Sequence, residues 1–384
     1  MSRIKEFLSL ALHAFLSYAF SGLSVKRGSV VFCNYGGRGY GDSPAAIANE
    51  ILRRHLRCQM IWLVRDLGCE VPDGIKKVKR GWLFERACLA RAQFIVSNTK
   101  GDLDFRRKKN RYYIQTWHGD MPFKQIEAEC ESMLSPYYVR MSKEDSTKTD
   151  FVLSGSSFFS KIAQTSFWLP STCEVLECGI PRNDVFFTAS EDEKVAFKQS
   201  VFGKSEVKVA LYAPTFRDAI GNDVCRFDVE RLRRSLSNKF GGTWIVVIRL
   251  HPNVAGSEGM FNYGDYIVNG TRIENGQKLS LVSDVLITDY SSIVEEFIIQ
   301  RKPVFIYAPD LDEYVEKERR LRDLYFRLPF ERCQTEIGLF DAVDRFDGFV
   351  YQEKLADFCK RDCRIFDDGH ASERVVDLIE KLMG

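Results

Sequence analysis

The stretch SDVLITDYSSIVEEF, Ser283 to Phe297, decides the fold. Its first half is a continuous apolar run bounded by turn residues, and its second half places apolar residues at helical spacing. A run without polar alternation suits a strand covered on both faces, as in parallel sheets. Strand, tight turn and helix make the unit of an open α/β fold, in which ligands sit beyond the carboxyl ends of the strands. The turn Asp289 to Ser292 is therefore a candidate phosphate or diphosphate cradle, with backbone N–H groups and the Ser291 and Ser292 hydroxyls as donors. Ser292-x-x-Glu295 also reads as a capping box that would occupy some of those donors internally. Asp289 beside an anion is unfavourable unless it meets a ribose or acceptor hydroxyl or braces the turn.

Working outward, the same unit recurs along the chain. Strands are expected at Ser29–Asn34, Gln59–Arg65, Gln93–Asn98, Tyr112–Trp117, Asp150–Leu153 and Glu174–Cys178, with helices at Pro44–His55 and Trp82–Ala92. Pro44 after Ser43 reads as the first helical residue behind its cap. A second series has strands at Val207–Ala213, Thr243–Leu250, Asp265–Val268, Asp284–Thr288 and Pro303–Tyr307. Its helices fall at Val229–Lys239, Asn275–Leu281, Ser292–Gln300 and Leu311–Leu324. Two such series imply an α/β protein of two doubly wound, parallel-sheet, Rossmann-like domains facing a cleft. The expected divisions are an N-terminal amphipathic helix over 1–28, a first domain over 29–190 and a second over 191–384. The joint lies in the polar stretch Thr188–Glu206, and the helical segments from Glu353 onward could cross back to the first domain.

The chain has 384 residues, 45% hydrophobic, 28% charged and 13% aromatic, which is ample material for packed cores and excludes a disordered or fibrous protein. Lys and Arg total 55 against 53 Asp and Glu, a net charge of +2 that argues against a dedicated nucleic-acid binder. Eleven scattered cysteines read as small buried hydrophobes in a reducing compartment, so a cytoplasmic protein is expected. No spacing of Cys, His or carboxylates suggests a metal site. Phe7 to Val25 carries no charge and is flanked by basic residues. Its apolar positions recur at helical spacing, which suits an amphipathic helix in a headgroup region; a helix packed on the protein body is the competing reading. The run Arg106, Arg107, Lys108, Lys109 and Arg111 is ordinarily a solvated face, and with that helix it could meet an anionic bilayer.

Several polar residues follow strands directly. In QTWHGDMPFK, Gln115 to Lys124, His118 stands at a strand end, and an imidazole of near-neutral pKa can accept a proton from a hydroxyl nucleophile. Asp120 is near enough in sequence to orient it; a loop histidine bonding backbone carbonyls is the structural alternative. In IRLHPN, Arg249 and His251 alternate along a strand and so share a face suited to a phosphoryl group, against a buried salt bridge for Arg249. The Gly-rich loop NYGGRGYGD, Asn34 to Asp42, is neither a dinucleotide fingerprint nor a P-loop, and reads as a flexible loop admitting an acceptor near Arg38, or as a tight turn. Thr215 and Arg217 follow another expected strand.

Taken together the motifs resemble the CDP-glycerol glycerophosphotransferase family of teichoic-acid and related cell-surface polymer synthesis. The resemblance runs from about Ser29 to the C-terminus through GRGYGDSP, QTWHGDMPFK, ECGIPRND, LYAPTFRD, RLHPN, SDVLITDYSSIVEEF and KPVFIYAPDLDEY in order. It implies a GT-B architecture, a peripheral place on the cytoplasmic membrane face, and CDP-glycerol as donor with no cofactor or obligate metal. The acceptor it implies is a lipid-linked saccharide or polyol phosphate. It implies His118 as base, Arg249 and His251 assisting the donor phosphates, and the Asp289–Ser292 turn holding the donor. Thr215, Arg217, Asp310 and Glu313 fall in matching segments as further substrate contacts. Asp120-Met121-Pro122 stands where the family commonly has Thr-Pro directly after the Gly, which bears on acceptor choice or on the pKa of His118. The alternatives are a GT-B transferase using CDP-ribitol or a nucleotide sugar, and a non-catalytic membrane-associated partner of a polymer-synthesis complex.

Overall fold

The computed structural model describes residues 20, 22–81, 83–217, 220, 223–250, 260–273 and 275–384. The chain divides into two compact units: one takes the residues up to His118 with Glu127–Asp184 and Phe366–Gly384, the other Gly119–Ile126 and Val185–Ile365. Of the expected N-terminal helix over 1–28, residues 20 and 22–28 are described and form turns and irregular chain rather than helix; the rest lies outside the described residues.

The first unit is built on seven strands, Ser29–Cys33 (β1), Gln59–Val64 (β2), Ile75–Lys79 (β3), Phe94–Ser97 (β4), Tyr112–Gln115 (β5), Phe151–Ser154 (β6) and Glu174–Glu177 (β7). They form one sheet in the order β3-β2-β1-β4-β5-β6-β7, and every pairing is parallel. Val30 and Phe32 of β1 face one apolar layer with Ile47, Ile51 and Ile379. Val31 and Cys33 face the other, with Leu89 and Tyr113. Both faces are covered, which is why the run SVVFC shows no alternation. β3, IKKVK, was not anticipated from the sequence. It is an edge strand, and its lysines blunt the open edge.

The second unit carries Lys208–Ala213 (β8), Trp244–Ile248 (β9), Ile267–Asn269 (β10), Val285–Thr288 (β11), Val304–Tyr307 (β12) and Arg332–Cys333 (β13), ordered β10-β9-β8-β11-β12-β13 and again all parallel. Its core gathers Tyr212, Leu232, Leu236, Trp244, Val246, Ile248, Ile287, Phe305 and Leu339. In each sheet the order of strand addition reverses once, between β1 and β4 and between β8 and β11. Chains leaving those strand ends in opposite directions open a crevice there, so these are the places where such sheets bind ligands.

Several local expectations need correction. The strand around Arg249 ends at Ile248, so Arg249 lies beyond it rather than alternating within it. The helix expected from Pro44 starts two residues earlier, at Asp42, with Gly41 as its cap. The polar stretch 188–206 holds the helix Glu191–Phe202, started by a full capping box between Ser190 and Glu193 and ended by a left-handed Gly203. The expected helix Leu311–Leu324 is two helices, Leu311–Lys317 and Asp323–Phe326. All eleven cysteines are unbridged, and among the described residues no helix is long and apolar enough to cross a membrane.

Candidate functional site

One strand from the switch point of the first unit, next to β4, β5 ends at Gln115, and Trp117, with φ +54°, turns the chain left-handed immediately before His118. A bulky residue in that region is strained by about 1–2 kcal/mol, and burial of its indole against Phe167 (4.7 Å between ring centroids) holds it there. The turn throws the His118 ring off the sheet. Its Nδ1 lies 2.7 Å from the carbonyl oxygen of Asn98, just past β4. A carbonyl only accepts, so Nδ1 carries the proton and the neutral ring presents the Nε2 lone pair. The residue is exposed, while its ring packs against Trp117 and Tyr35 (4.2 and 5.6 Å between ring centroids) and is partly desolvated. This desolvation lowers the pKa from its ordinary 6.5, outweighing the Asn98 bond and the charge of Asp42, both of which raise it.

Asn98 ties this corner to the Gly-rich loop. Its Oδ1 accepts from the Tyr35 N–H at 2.7 Å and its Nδ2 donates to Asn34 Oδ1 at 2.8 Å. The loop expected to be flexible is pinned: the N–H groups of Gly37 and Arg38 both donate to the Asn34 carbonyl, and Arg65 Nε donates to the Gly36 carbonyl. Gly37 has φ +89°, and a Cβ there would meet Arg80 Cδ at 2.8 Å, so only glycine fits. Arg38 itself is exposed at the loop tip. Arg182 donates from Nη1 to Asp42 Oδ2 (2.9 Å) and to the His118 carbonyl (3.1 Å), clamping the turn that carries the ring. The ring's partner is thus Asn98 and not Asp120, whose backbone N–H instead donates to Glu295 in the second unit.

At the switch point of the second unit, Arg217 is fully buried between two carboxylates. Its guanidinium donates to Asp310 through Nε and Nη2, both at 3.0 Å, and through Nη1 to Asp289 and the Thr215 carbonyl. Asp289 also accepts from the Thr215 N–H at 2.9 Å, and the Tyr290 hydroxyl donates to Asp310 at 2.9 Å. Burial pulls the Arg217 pKa down, but Asp289 and Asp310 more than offset it and the net shift is upward. Expected as substrate contacts, Arg217, Asp289 and Asp310 bond one another, because a buried charge needs a partner. They brace the ends of β8, β11 and β12. The Ser292 capping box is not formed: the helix Val294–Ile299 starts behind Ile293 with no side-chain cap, and Glu295 turns to Asp120. Ser291 and Ser292 stay half exposed, and the Thr215 hydroxyl is buried, with no hydrogen-bond partner among the described residues. Gly119 packs so close that a Cβ there would stand 3.0 Å from Ser292 Oγ.

Arg249 Nη1 donates to the carbonyls of Gly270 (3.0 Å) and Ile273 (2.6 Å). His251 lies outside the described residues. Glu313 pairs with Lys317 at 2.7 Å on the surface of its helix. Of the basic run, Arg111 is buried, its pKa lowered to about 10 by desolvation, and donates to Ala92. Lys108 donates to Leu23 and Ala90, Arg107 pairs with Asp150, and Arg106, Arg107 and Lys109 are exposed. Sequence reasoning assigned no role to Asn98, Asp42, Arg182 or Lys124. Asp42 and Arg182 lie within GRGYGDSP and ECGIPRND, and Asn98 directly follows a strand, which was the available signal.

Two parallel Rossmann-like sheets, each with a polar constellation at its switch point, define a GT-B-like α/β protein. A Staphylococcus aureus MnaA structure with UDP shares that fold at a TM-score of 0.56 and 13% identity, covering 92% of this chain and 96% of that one. The family described as CDP-Glycerol:Poly(glycerophosphate) glycerophosphotransferase matches residues 15–381, and the chain belongs to it. It is 29% identical over 374 residues to a teichoic acid poly(glycerol phosphate) polymerase of Staphylococcus epidermidis, 93% of this chain and 51% of that protein. To the Bacillus subtilis polymerase it is 28% identical, covering 94% of this chain and 50% of that protein. The chain thus spans about half the length of these curated relatives. It covers 92% of a teichoic acid glycerol-phosphate transferase of Staphylococcus aureus, at 29% identity over 92% of its own length. The wall teichoic acid polymerase TagF superposes with a TM-score of 0.83 at 27% identity, over 99% of this chain and 96% of that one. A further TagF structure was soaked with CDPG.

Proposed function

We propose that the chain transfers glycerol phosphate from CDP-glycerol to a hydroxyl of a lipid-linked saccharide or polyol-phosphate acceptor in teichoic-acid synthesis, with release of CMP. The observation that carries this reading is the Asn98 carbonyl on His118 Nδ1, which sets the ring as a neutral base with Nε2 available. The acceptor oxygen bonds to the β-phosphorus as the bridging P–O bond breaks. Nε2 takes the acceptor proton, and the bridging oxygen leaves with CMP. Ser291, Ser292 and Thr215 supply donors to the donor phosphates from the second unit. Arg249 and, from outside the described residues, His251 neutralise developing charge. Arg217, Asp289 and Asp310 hold the strand ends that carry those groups.

Incubation with CDP-glycerol and a short lipid-linked acceptor, followed by product mass and CMP release, tests the reading. His118→Ala is expected to fold and bind donor but lose about 10²- to 10⁴-fold in turnover. Near-normal turnover removes the base assignment. CDP-ribitol and a nucleotide sugar run in parallel separate the donors, and absence of nucleotide release from all of them favours a non-catalytic partner.

The proposed place of action is the cytoplasmic membrane face. In the first unit Leu83 and Phe84 stand 59% and 51% exposed on the helix Leu83–Arg91, and Arg86 and Ala90 of that helix line a hollow with Arg106 and Lys108. Apolar side chains beside cations suit a headgroup layer. Co-sedimentation with anionic but not neutral vesicles is the expected result.

A further inference from the structure

Lys124 is a cation in the second unit that no fold requirement explains. Its backbone is fixed: the segment Phe123–Gln125 is strapped to Arg320–Arg322 by an antiparallel bridge between Lys124 and Leu321, by Gln125 N–H to the Arg320 carbonyl (3.1 Å) and by Arg322 N–H to the Phe123 carbonyl (2.7 Å). Phe123 is buried, 5.8 Å from the Tyr325 ring, so the strap is anchored on its apolar side. The Lys124 side chain turns toward the Arg217 cluster. Its Nζ lies 5.9 Å from the centre of the Tyr314 ring, which stacks at 3.9 Å on Tyr290, the residue after Asp289.

Among the described residues its ammonium has no hydrogen bond and no carboxylate in salt-bridge range. Asp289 is near enough to act on it but is already bonded to Arg217 and the Thr215 N–H; Glu318 attracts it, while Arg319 and Arg217 repel it. Desolvation lowers its pKa to about 8. Lys124 is half-buried, and holding an ammonium partly out of water without a partner is costly. Beside the same Asp289 sits the buried Thr215 hydroxyl, which has no hydrogen-bond partner among the described residues. An ammonium with no hydrogen-bond partner among the described residues, at the switch point of the sheet, matches an anion that enters there.

We propose that Lys124 is a phosphate ligand of the donor site, its ammonium pairing with the diphosphate of the nucleoside-diphosphate donor. The inference rests on the transferase reading above and adds to it a residue in the strap that follows His118 in sequence. Lys124 then forms charge-assisted hydrogen bonds to phosphate oxygens, worth roughly ten- to hundredfold in affinity when one is lost.

Calorimetric titration of the full chain with CDP and with cytidine at pH 7 tests it. Lys124→Gln is expected to weaken CDP ten- to hundredfold and leave cytidine unchanged, and Lys124→Arg to stay within a few-fold of wild type. Equal CDP affinity in Lys124→Gln, or CDP and cytidine falling together, overturns the assignment. Should Lys124→Gln not fold, amine acylation of the wild-type chain at pH 8, read by peptide mass, decides. CDP at saturation is expected to protect Lys124, and unprotected Lys124 in the CDP-bound chain overturns the proposal. A wild-type chain that takes neither CDP nor CDP-glycerol overturns the donor reading and the lysine with it, whereas CDP binding without dependence on Lys124 removes the lysine alone.

Discussion

His118 owes its protonation to three neighbours with different effects. The Asn98 carbonyl fixes which nitrogen holds the proton, while Asp42 raises the pKa and Arg182 lowers it. The Asp42 side chain is 4% exposed and that of Arg182 9%. Burial pushes the Asp42 carboxyl up, but the Arg182 charge, the Ser43 N–H and the Tyr35 hydroxyl bring it below its ordinary value. Both folded-state pKa values are therefore depressed. The stability they contribute is present above the unfolded values and lost as pH falls, His118 first and Asp42 later. The acid limb of kcat/KM is expected below pH 6.5. Removing the charge of one neighbour at a time should move it in opposite directions: up in Arg182→Met, where the carboxylates of Asp42 and Glu127 are left to act on the ring, and down in Asp42→Asn. A pH profile of CMP release distinguishes this from a purely structural role, which would move both limbs alike or neither. Arg182→Met also leaves a buried carboxylate uncompensated, so a loss of about 3–5 kcal/mol in unfolding free energy is expected.

At the scale of elements, what could be read from the sequence was what local pattern alone determines. Runs such as SVVFC, WIVVI and VLIT are covered on both faces, and nothing distant competes with that signal. The edge strands β3 and β13 were missed because an edge strand tolerates charge and, in β13, is only two residues long. The pattern Ser-x-x-Glu occurs at Ser190 and at Ser292 with opposite outcomes. At Ser190 the side chain accepts the Glu193 N–H at 3.2 Å and Glu193 returns the bond. At Ser292 the glutamate is drawn instead to the Asp120 N–H, 175 positions away in sequence, a competitor that no local window contains. The same limit hid the fate of Arg217, Asp289 and Asp310: strand-end position marked them, but only the fold revealed that they face one another. Ser190→Ala is expected to cost about 1 kcal/mol, seen as a lower thermal midpoint, while Ser292→Ala, which breaks no cap, should leave the midpoint nearly unchanged and act on donor affinity.

Over the whole molecule, the first unit is discontinuous, completed by residues 366–384 after the chain has built the second. The helix Ala371–Met383 buries Val375, Val376 and Ile379 in the layer that holds Ile47 and Ile51. Asp184 accepts the N–H groups of Ala371 (2.9 Å) and Ser372 (2.8 Å), and Asp367 accepts from Ile180 N–H (2.9 Å) and Asn183 Nδ2 (3.1 Å). Arg54 reaches across to Asp377 and Glu380. The segment ECGIPRND is therefore held by the C-terminal residues on one side and, through Arg182, holds the His118 turn on the other. Truncation after Ile365 removes three buried apolar side chains, whose burial contributes roughly 1.5–3 kcal/mol each, and uncovers the layer of Ile47 and Ile51, a loss comparable with the entire stability of a domain. Hydrogen exchange of the truncated chain is expected to show lost protection in β1, β2 and the helix Asp42–Arg53, with β8, β9 and β11 still protected. CDP affinity should persist while turnover disappears. Equal loss of protection in both units would mean that the second sheet also depends on the C-terminal helix, and unchanged protection in β1 would mean that the first does not.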